Sequence, residues 1–165
     1  MKMTELFLAE LEREAVPTRR TLERVPDGRY DWKPHEKSMA FGYLAELVAR
    51  LPSWPVLMIK QDELEITTYK PEPLRTSGEL VQALDEGVAA AREALANTTD
   101  EHLMKTWRIL VGGNIVSEQP RYIALRDGVF NHLAHHRGQL TVYLRLNDVP
   151  VPSIYGPSAD EGKFE

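Results

Sequence analysis

Residues 127–147 read DGVFNHLAHHRGQLTVYLRLN and place three of the chain's five histidines within five positions. On a helix that turns by about 100° per residue, His132 and His136 point the same way, with Cβ atoms about 6 Å apart. The apolar residues of the segment fall on the same side, so the pair lies at the edge of the buried face. His135 points about 60° the other way. The spacing predicts a helix whose histidine pair can hold one metal ion.

Three earlier segments have the apolar periodicity of amphipathic helices, in which every third or fourth residue is apolar. A Ser is a good N-cap for the second of them, and a capping box marks the start of the third. The predicted helices cover Met3–Val25, residues 39–51 after the N-cap Ser38 with a helical continuation over 56–64, and a stretch from the Thr76 and Glu79 capping box to about Asn97.

A short excursion precedes the last helix. In residues 106–119, β-branched side chains flank Gly112 and Gly113, which predicts a β-hairpin, with an irregular excursion as the alternative. Pro120 then fits the first turn of the last helix, and the apolar periodicity continues to about Leu146.

The final segment, VPVPSIYGPSADE at residues 149–161, contains too much Pro, Gly and Ser to be helical and predicts an extended tail. Arg137 is a candidate anchor for this tail through Asp160 or Glu161, with a solvated Arg137 as the alternative. Together the elements predict one all-α domain over residues 1–165. Its architecture is an antiparallel four-helix bundle with a short β-hairpin insertion before the last helix and an extended C-terminal tail.

Composition limits the chemistry and the partners. The chain has no cysteine, which excludes thiolate ligands, cysteine nucleophiles and disulfides, and which suits a cytoplasmic protein. The net charge of −5 argues against sequence-independent binding to nucleic acid. No apolar run approaches the ~20 residues that span a bilayer. We therefore expect a cytoplasmic protein with neither a nucleic acid nor a membrane as its partner.

Two stretches, DWKPHEKSMAFGYLAELVARLPSW at residues 31–54 and NHLAHHRGQLTVYLRLNDVPVPSIYGPSADE at residues 131–161, resemble the DinB-like superfamily, named for damage-inducible proteins. The most specific part is H-x-x-H-H-R-G-Q followed by the tail. The resemblance implies a four-helix bundle, often a homodimer, that binds a divalent metal such as zinc or nickel through three histidines. It also implies thiol-dependent transfer or metal-dependent isomerase or hydrolase chemistry.

Carried over residue by residue, the resemblance assigns His132 and His136 to the metal-binding pair of the last helix. The family's other histidine falls in the second helix, where the present chain has Leu47, and leucine cannot bind a metal. Other residues are candidates for a third ligand or for further positions in the site. One of them, Glu46, neighbours Leu47 and therefore points about 100° away from it on the same helix. These candidates are His35, Glu46, Glu36 and His102 as ligands, and His135 and Tyr143 as further site residues.

Two functions follow from these observations. The first is a metal-dependent enzyme, of the thiol-dependent transferase or hydrolase type, with an incomplete histidine site and no identified catalytic residue. The second is a metal-free module that binds a small molecule or acts through dimerisation, in which His132 and His136 are neutral histidines bonded to a carboxylate, a carbonyl or water. In either case, aromatic residues are candidates for the lining of a small pocket. They are Tyr43, Trp54, Tyr143 and Tyr155.

Overall fold

The computed structural model describes residues 2–162, so residues 1 and 165, the predicted limits of the domain, lie outside it. The helices are α1 (Met3–Leu22), α2 (Phe41–Arg50), α3 (Trp54–Lys60), α4 (Ser77–Ala96), α5 (Asp100–Leu103), α6 (Arg121–Leu125) and α7 (His132–Leu146). The strands are β1 (Glu63–Glu65), β2 (Thr106–Val111) and β3 (Asn114–Pro120).

The helices enclose one apolar core. Helix α1 packs against α4, and α2 packs against both α4 and α7. Leu11, Phe41, Leu80 and Leu144, one from each of these helices, are almost completely buried at the centre. The periodic apolar residues of the sequence therefore meet in the interior, as amphipathic helices require. None of the helices in residues 2–162 is long and apolar enough to cross a membrane.

The prediction of an all-α chain needs correction, because the protein is mostly helical and also contains a small three-stranded sheet. Strands β2 and β3 pair antiparallel where the sequence predicts a hairpin, with Gly112 and Gly113 at positive φ in the turn. The third strand is β1, which pairs parallel to β2 with Glu63 opposite Arg108.

Strand β1 also replaces part of the helix predicted over residues 56–64, because α3 ends at Lys60. The physical reason is the buried Arg121, whose guanidinium donates to the carbonyl oxygens of Met58, at 2.9 Å, and Gln61, at 3.2 Å. These carbonyls near the end of α3 thereby obtain a partner without continuing the helix. Residues 63–65 are then free to pair with β2.

The predicted N-cap of the second helix is also wrong. Helix α2 begins at Phe41, and the residue before it, Ala40, offers no side-chain cap. The first amides are instead satisfied by the preceding loop, since Phe41 N donates to Trp32 O and Gly42 N donates to Tyr30 O, each at 2.9 Å. Backbone carbonyls of the loop thus accept the hydrogen bonds that the sequence predicts for the side chain of Ser38.

The last helical segment is continuous but irregular. Helix α6 passes through a π-helical turn at Arg126–Asn131 before α7 begins at His132. Within this turn, a Cβ added to Gly128 would lie 2.9 Å from Met58 Cε, so the glycine permits the close approach of α3. The turn leads directly into the histidine segment.

The C-terminal tail lies along α1 and α7 and is bound by side chains at several points. Arg137 does anchor it, but the predicted partners are wrong: its Nη2 atom donates to Tyr155 Oη at 2.6 Å. Asp160 pairs with Arg145, and Glu161 pairs with Arg20 and Arg24. The acidic residues of the tail thus pair with exposed and half-buried arginines, whereas the charge of Arg137 lies in the interior.

Candidate functional site

A cavity of about 460 Å³ opens between α2, the start of α3, the loop after β1, and α7. Its lining combines aromatic and apolar side chains with two histidines and one pair of opposite charges. The lining residues are Met39, Tyr43, Glu46, Leu47, Arg50, Trp54, Ile66, Tyr69, Pro71, His132 and His136. The histidine pair predicted from the sequence therefore faces a space large enough for a small molecule.

The two imidazoles are held side by side. Their ring centroids are 4.5 Å apart, with 50° between the ring planes. His132 Nδ1 lies 3.3 Å from Gly128 O in the π-helical turn, and His136 Nδ1 lies 2.7 Å from Gln139 Oε1. Both of these oxygens are acceptors, so each Nδ1 carries the hydrogen and each Nε2 carries a lone pair.

Gln139 supports this assignment of tautomers. Its Nε2 atom lies 3.2 Å from His135 Nε2 and donates to it, which leaves Gln139 Oε1 facing His136. No partner for Nε2 of His132 or of His136 is present among residues 2–162. The pair therefore presents two free acceptors at the cavity.

Burial keeps both histidines neutral. Desolvation lowers the pKa of His132, and the neighbouring His136 lowers it further. Desolvation is also the main cause that lowers the pKa of His136. With the ordinary value at 6.5, both imidazoles are uncharged at pH 7, which is the form that binds a metal or accepts a hydrogen bond.

Trp54 contributes an aromatic ring to the wall. Its ring meets His132 edge-on at 6.1 Å and Tyr69 edge-on at 5.9 Å. Trp54 Nε1 is buried and has no hydrogen-bond partner in the part of the chain that the structure describes. Because this atom has almost no accessible surface, the ring of Trp54 and not its N–H group faces a bound molecule.

The candidates for a third metal ligand are not positioned to complete the pair. Glu46 does line the cavity beside Leu47, but its carboxylate accepts from Arg50 Nε at 2.9 Å and from Leu74 N at 3.4 Å. His35 Nδ1 accepts from Lys37 N at 3.1 Å in the loop before α2. His102 Nε2 lies 2.9 Å from Ile59 O, and His102 does not line the cavity.

His135 and Tyr143 lie near the site without lining it. His135 is exposed, with its ring centroid 4.8 Å from that of His136. Tyr143 Oη donates to Met39 O at 3.2 Å, while its ring packs on Trp32 and Phe41. Within residues 2–162, no three His, Cys, Asp or Glu side chains are grouped so that they could hold a metal ion. The residues present thus fit two positions of a metal site and do not fit the three-histidine site that the resemblance implies.

The sequence predicts only part of the lining. Tyr43 and Trp54 face the cavity as predicted, whereas Tyr155 does not line it and instead donates to Glu14. Tyr69 and Pro71 were missed because they belong to a loop without periodicity. Arg50 was missed as well, although its spacing of four residues from Glu46 is typical of an ion pair on a helix.

Comparisons with known proteins agree with this architecture. The model of the DinB family matches residues 1–163. The protein YrdA of Bacillus subtilis (strain 168), described as uncharacterized, is 27% identical over 160 residues, which cover 94% of this chain and 89% of that protein.

Two solved structures are similar in fold. A DinB-like protein from Bacillus cereus ATCC 10987 matches with a TM-score of 0.70 and 23% identity, covering 92% of this chain and 97% of the other. The DinB-like protein YjoA from Bacillus subtilis matches with a TM-score of 0.67 and 21% identity, covering 89% and 96%. Because the family model spans nearly the whole sequence, the chain belongs to the DinB family.

Proposed function

We propose that the protein binds a small organic molecule in the cavity between α2 and α7. The observation that carries this proposal is the pair of free Nε2 acceptors on His132 and His136, which face an aromatic and apolar space of about 460 Å³. Pockets of about 300–1,000 Å³ that combine an apolar lining with a few oriented polar groups are typical ligand sites.

The lining also defines the class of molecule. Two neutral acceptors favour a ligand that presents hydrogen-bond donors, such as an amide, a hydroxyl or a ring N–H. Tyr69 and Trp54 form adjacent walls at 77° to each other, which suits a flat aromatic or heteroaromatic body. Because Glu46 and Arg50 neutralise each other, the cavity carries no net charge that would require an ionic ligand.

The test uses the chain's three tryptophans, whose indole N–H groups give separate signals in ¹H–¹⁵N NMR spectra. Benzamide, phenol and indole serve as probes. We expect binding to shift the signal of Trp54, assigned with a Trp54→Phe variant. The signal of Trp107, which is buried outside the cavity lining, should stay unchanged.

A matched pair of variants tests the role of the acceptors. His136→Ala should weaken benzamide binding by roughly fivefold, since one hydrogen bond contributes about 1 kcal/mol. His135→Ala, which changes the adjacent exposed histidine, should leave binding as it is. If no probe shifts Trp54, or if all three indoles respond alike, the cavity is not a ligand site and the proposal is wrong.

A second candidate is a divalent metal site on the same pair, in line with metal-dependent transferase or hydrolase activity. The observation that favours it is the hydrogen bonding of both Nδ1 atoms, since an oriented Nδ1–H group commonly accompanies metal binding through Nε2. A bound zinc or nickel ion would supply Lewis-acid chemistry there. His132 and His136 would supply two ligands to it.

Elemental analysis of the untagged protein after dialysis against zinc and against nickel tests this candidate. Near one equivalent of metal is expected if the pair suffices, falling in His132→Ala and His136→Ala but not in His135→Ala. If the protein retains no metal, or if the histidine variants retain as much as the wild type, the metal candidate is eliminated. A homodimer, a cytoplasmic location and a single domain over residues 1–165 stay predictions, and size-exclusion chromatography with light scattering tests the first of them.

A further inference from the structure

Residues 69–75, here called the strap, form a wall shared by two cavities. Tyr69 and Pro71 line the histidine cavity. Pro73, Leu74 and Arg75 line a second cavity of about 260 Å³, which also contacts Glu46. The strap therefore forms part of the wall of both cavities.

Both ends of the strap are fixed by carboxylates. Before it, Glu65 accepts from Thr67 N at 3.2 Å and from Gly113 N at 2.8 Å in the hairpin turn. After it, Glu79 accepts from Arg75 N at 2.7 Å and from Thr76 N at 2.9 Å in the capping box of α4. These contacts lie outside the cavity and keep the two ends in place when the middle moves.

The middle of the strap is held differently. In the described part of the chain, no backbone–backbone hydrogen bond joins residues 70–74 to another segment. Pro71 and Pro73 have no N–H to donate, and they stiffen the segment. Apart from the edge contact of Tyr69 with Trp54 and the partial burial of Leu74 against the core, the hold comes from polar contacts with α2.

Glu46 and Arg50 of α2, here called the latch, make these polar contacts. Arg50 Nη2 donates to Glu72 O, and Leu74 N donates to Glu46 Oε2 at 3.4 Å. The two side chains bind each other at 2.9 Å, with exposed fractions of 15% for Glu46 and 22% for Arg50. Solvent screens a pair with this little exposure less than it screens a surface pair, and both residues face the histidine cavity.

We propose that the latch gates the cavity: Glu46 and Arg50 are positioning residues that hold the strap against α2, and breaking the latch widens the access of a ligand to His132 and His136. The inference rests on the proposed function, because a gate matters only where a ligand enters. With its ends fixed and its middle stiffened by two prolines, the strap moves as one unit. Local openings of this kind have a much lower free energy than global unfolding.

The experiment compares the wild type with Glu46→Ala in the absence of any ligand. Hydrogen–deuterium exchange followed by mass spectrometry measures the opening of residues 69–76. Loss of the ion pair and of the acceptor for Leu74 N should speed exchange in this segment by roughly tenfold. Glu46→Gln keeps an oxygen acceptor for Leu74 N and should give an intermediate rate. Exchange within α2 and α4 reports whether the fold is intact.

Access to the cavity is measured on the same variants with diethyl pyrocarbonate, which acylates neutral imidazoles. His135 is exposed and serves as an internal reference for the rates at His132 and His136. In Glu46→Ala we expect both cavity histidines to react roughly tenfold faster relative to His135, in step with the exchange of the strap.

The control is Glu23→Ala, which breaks the exposed pair between Arg19 and Glu23, also four residues apart on a helix. Glu23→Ala should change neither the exchange of the strap nor the reactivity of His132 and His136. If Glu46→Ala leaves exchange of the strap within twofold of the wild type, the latch does not hold the strap. If exchange rises but the reactivity of His132 and His136 does not, the strap is not the gate. Failure of every probe to bind would instead overturn the proposed function, without altering either of these results.

Discussion

His136 and Arg137 are neighbours on α7 and both are buried, yet their polar atoms are used in opposite ways. Arg137, 1% exposed, donates to Glu14 Oε2 at 2.6 Å, to Thr18 Oγ1 at 2.8 Å and to Tyr155 Oη at 2.6 Å. Tyr155 Oη in turn donates to Glu14 Oε2 at 2.8 Å, which closes the network. His136 uses one nitrogen for Gln139 and leaves the other free.

The difference separates a structural polar cluster from a candidate site on the same helix. A buried network whose members are all bonded fixes the packing and leaves nothing to offer a ligand. A free acceptor that faces a cavity makes no hydrogen bond that stabilises the fold. The free Nε2 atoms therefore favour binding as the role of the histidine face, whereas the arginine face holds α1, α7 and the tail together.

The largest expected effect comes from breaking the structural cluster. Arg137→Met leaves the carboxylate of Glu14 buried without its cation and should lower the free energy of unfolding by about 3–5 kcal/mol. Denaturation by urea measures this change. The control is Arg145→Met, which removes a half-exposed pair with Asp160 and should cost less than about 1 kcal/mol. If the two variants lost equal free energy of unfolding, the buried carboxylate of Glu14 would not depend on Arg137 for its stabilisation.

A smaller effect is expected from completing the histidine site. Leu47 lines the same cavity as His132 and His136, so Leu47→His should supply a third imidazole. We expect zinc to bind roughly a hundredfold more tightly than to the wild type, equivalent to about 2.8 kcal/mol. Isothermal titration measures the affinity, and Leu47→Ala controls for the space created. An unchanged affinity would mean that another residue already provides the third ligand.

The smallest effect concerns pH. Burial lowers the pKa values of His132 and His136 in the folded state below the ordinary value of 6.5, so the unfolded chain binds protons more readily. The stability that the neutral imidazoles contribute is therefore complete above about pH 6.5 and declines as the pH falls below it. Unfolding by urea at pH 7 and pH 5 should show a smaller decline in a His132→Gln, His136→Gln double variant. If stability declined equally in the wild type and in the double variant, burial would not lower the pKa values of these two histidines.

The sequence was sufficient for features that depend on local spacing. The four-residue interval placed His132 and His136 on one face, and the capping box at Thr76 and Glu79 marks the start of α4 as predicted. The family resemblance, carried by the motif of α7 and the tail, is confirmed by the match of the family model. Helical periodicity and a specific motif are both readable within about twenty residues.

Features that depend on distant partners were missed. Strand β1 exists because β2 lies beside it and because Arg121 satisfies the end of α3, and neither partner is close in sequence to Glu63. The role of Arg137 was misassigned for a similar reason. Charge alone favoured the acidic tail, whereas the buried Glu14 of α1 is its actual ionic partner.

The parallel pairing of β1 with β2 also bears on the order in which the protein folds. Glu63 and Arg108 meet only after the intervening chain, including α4, has been brought back on itself, and such long-range contacts form late because loop closure costs entropy. The strap begins one short turn after β1, and its first fixed end depends on Glu65 of that strand. We therefore expect the helices to assemble first and the wall of the cavity to be completed last.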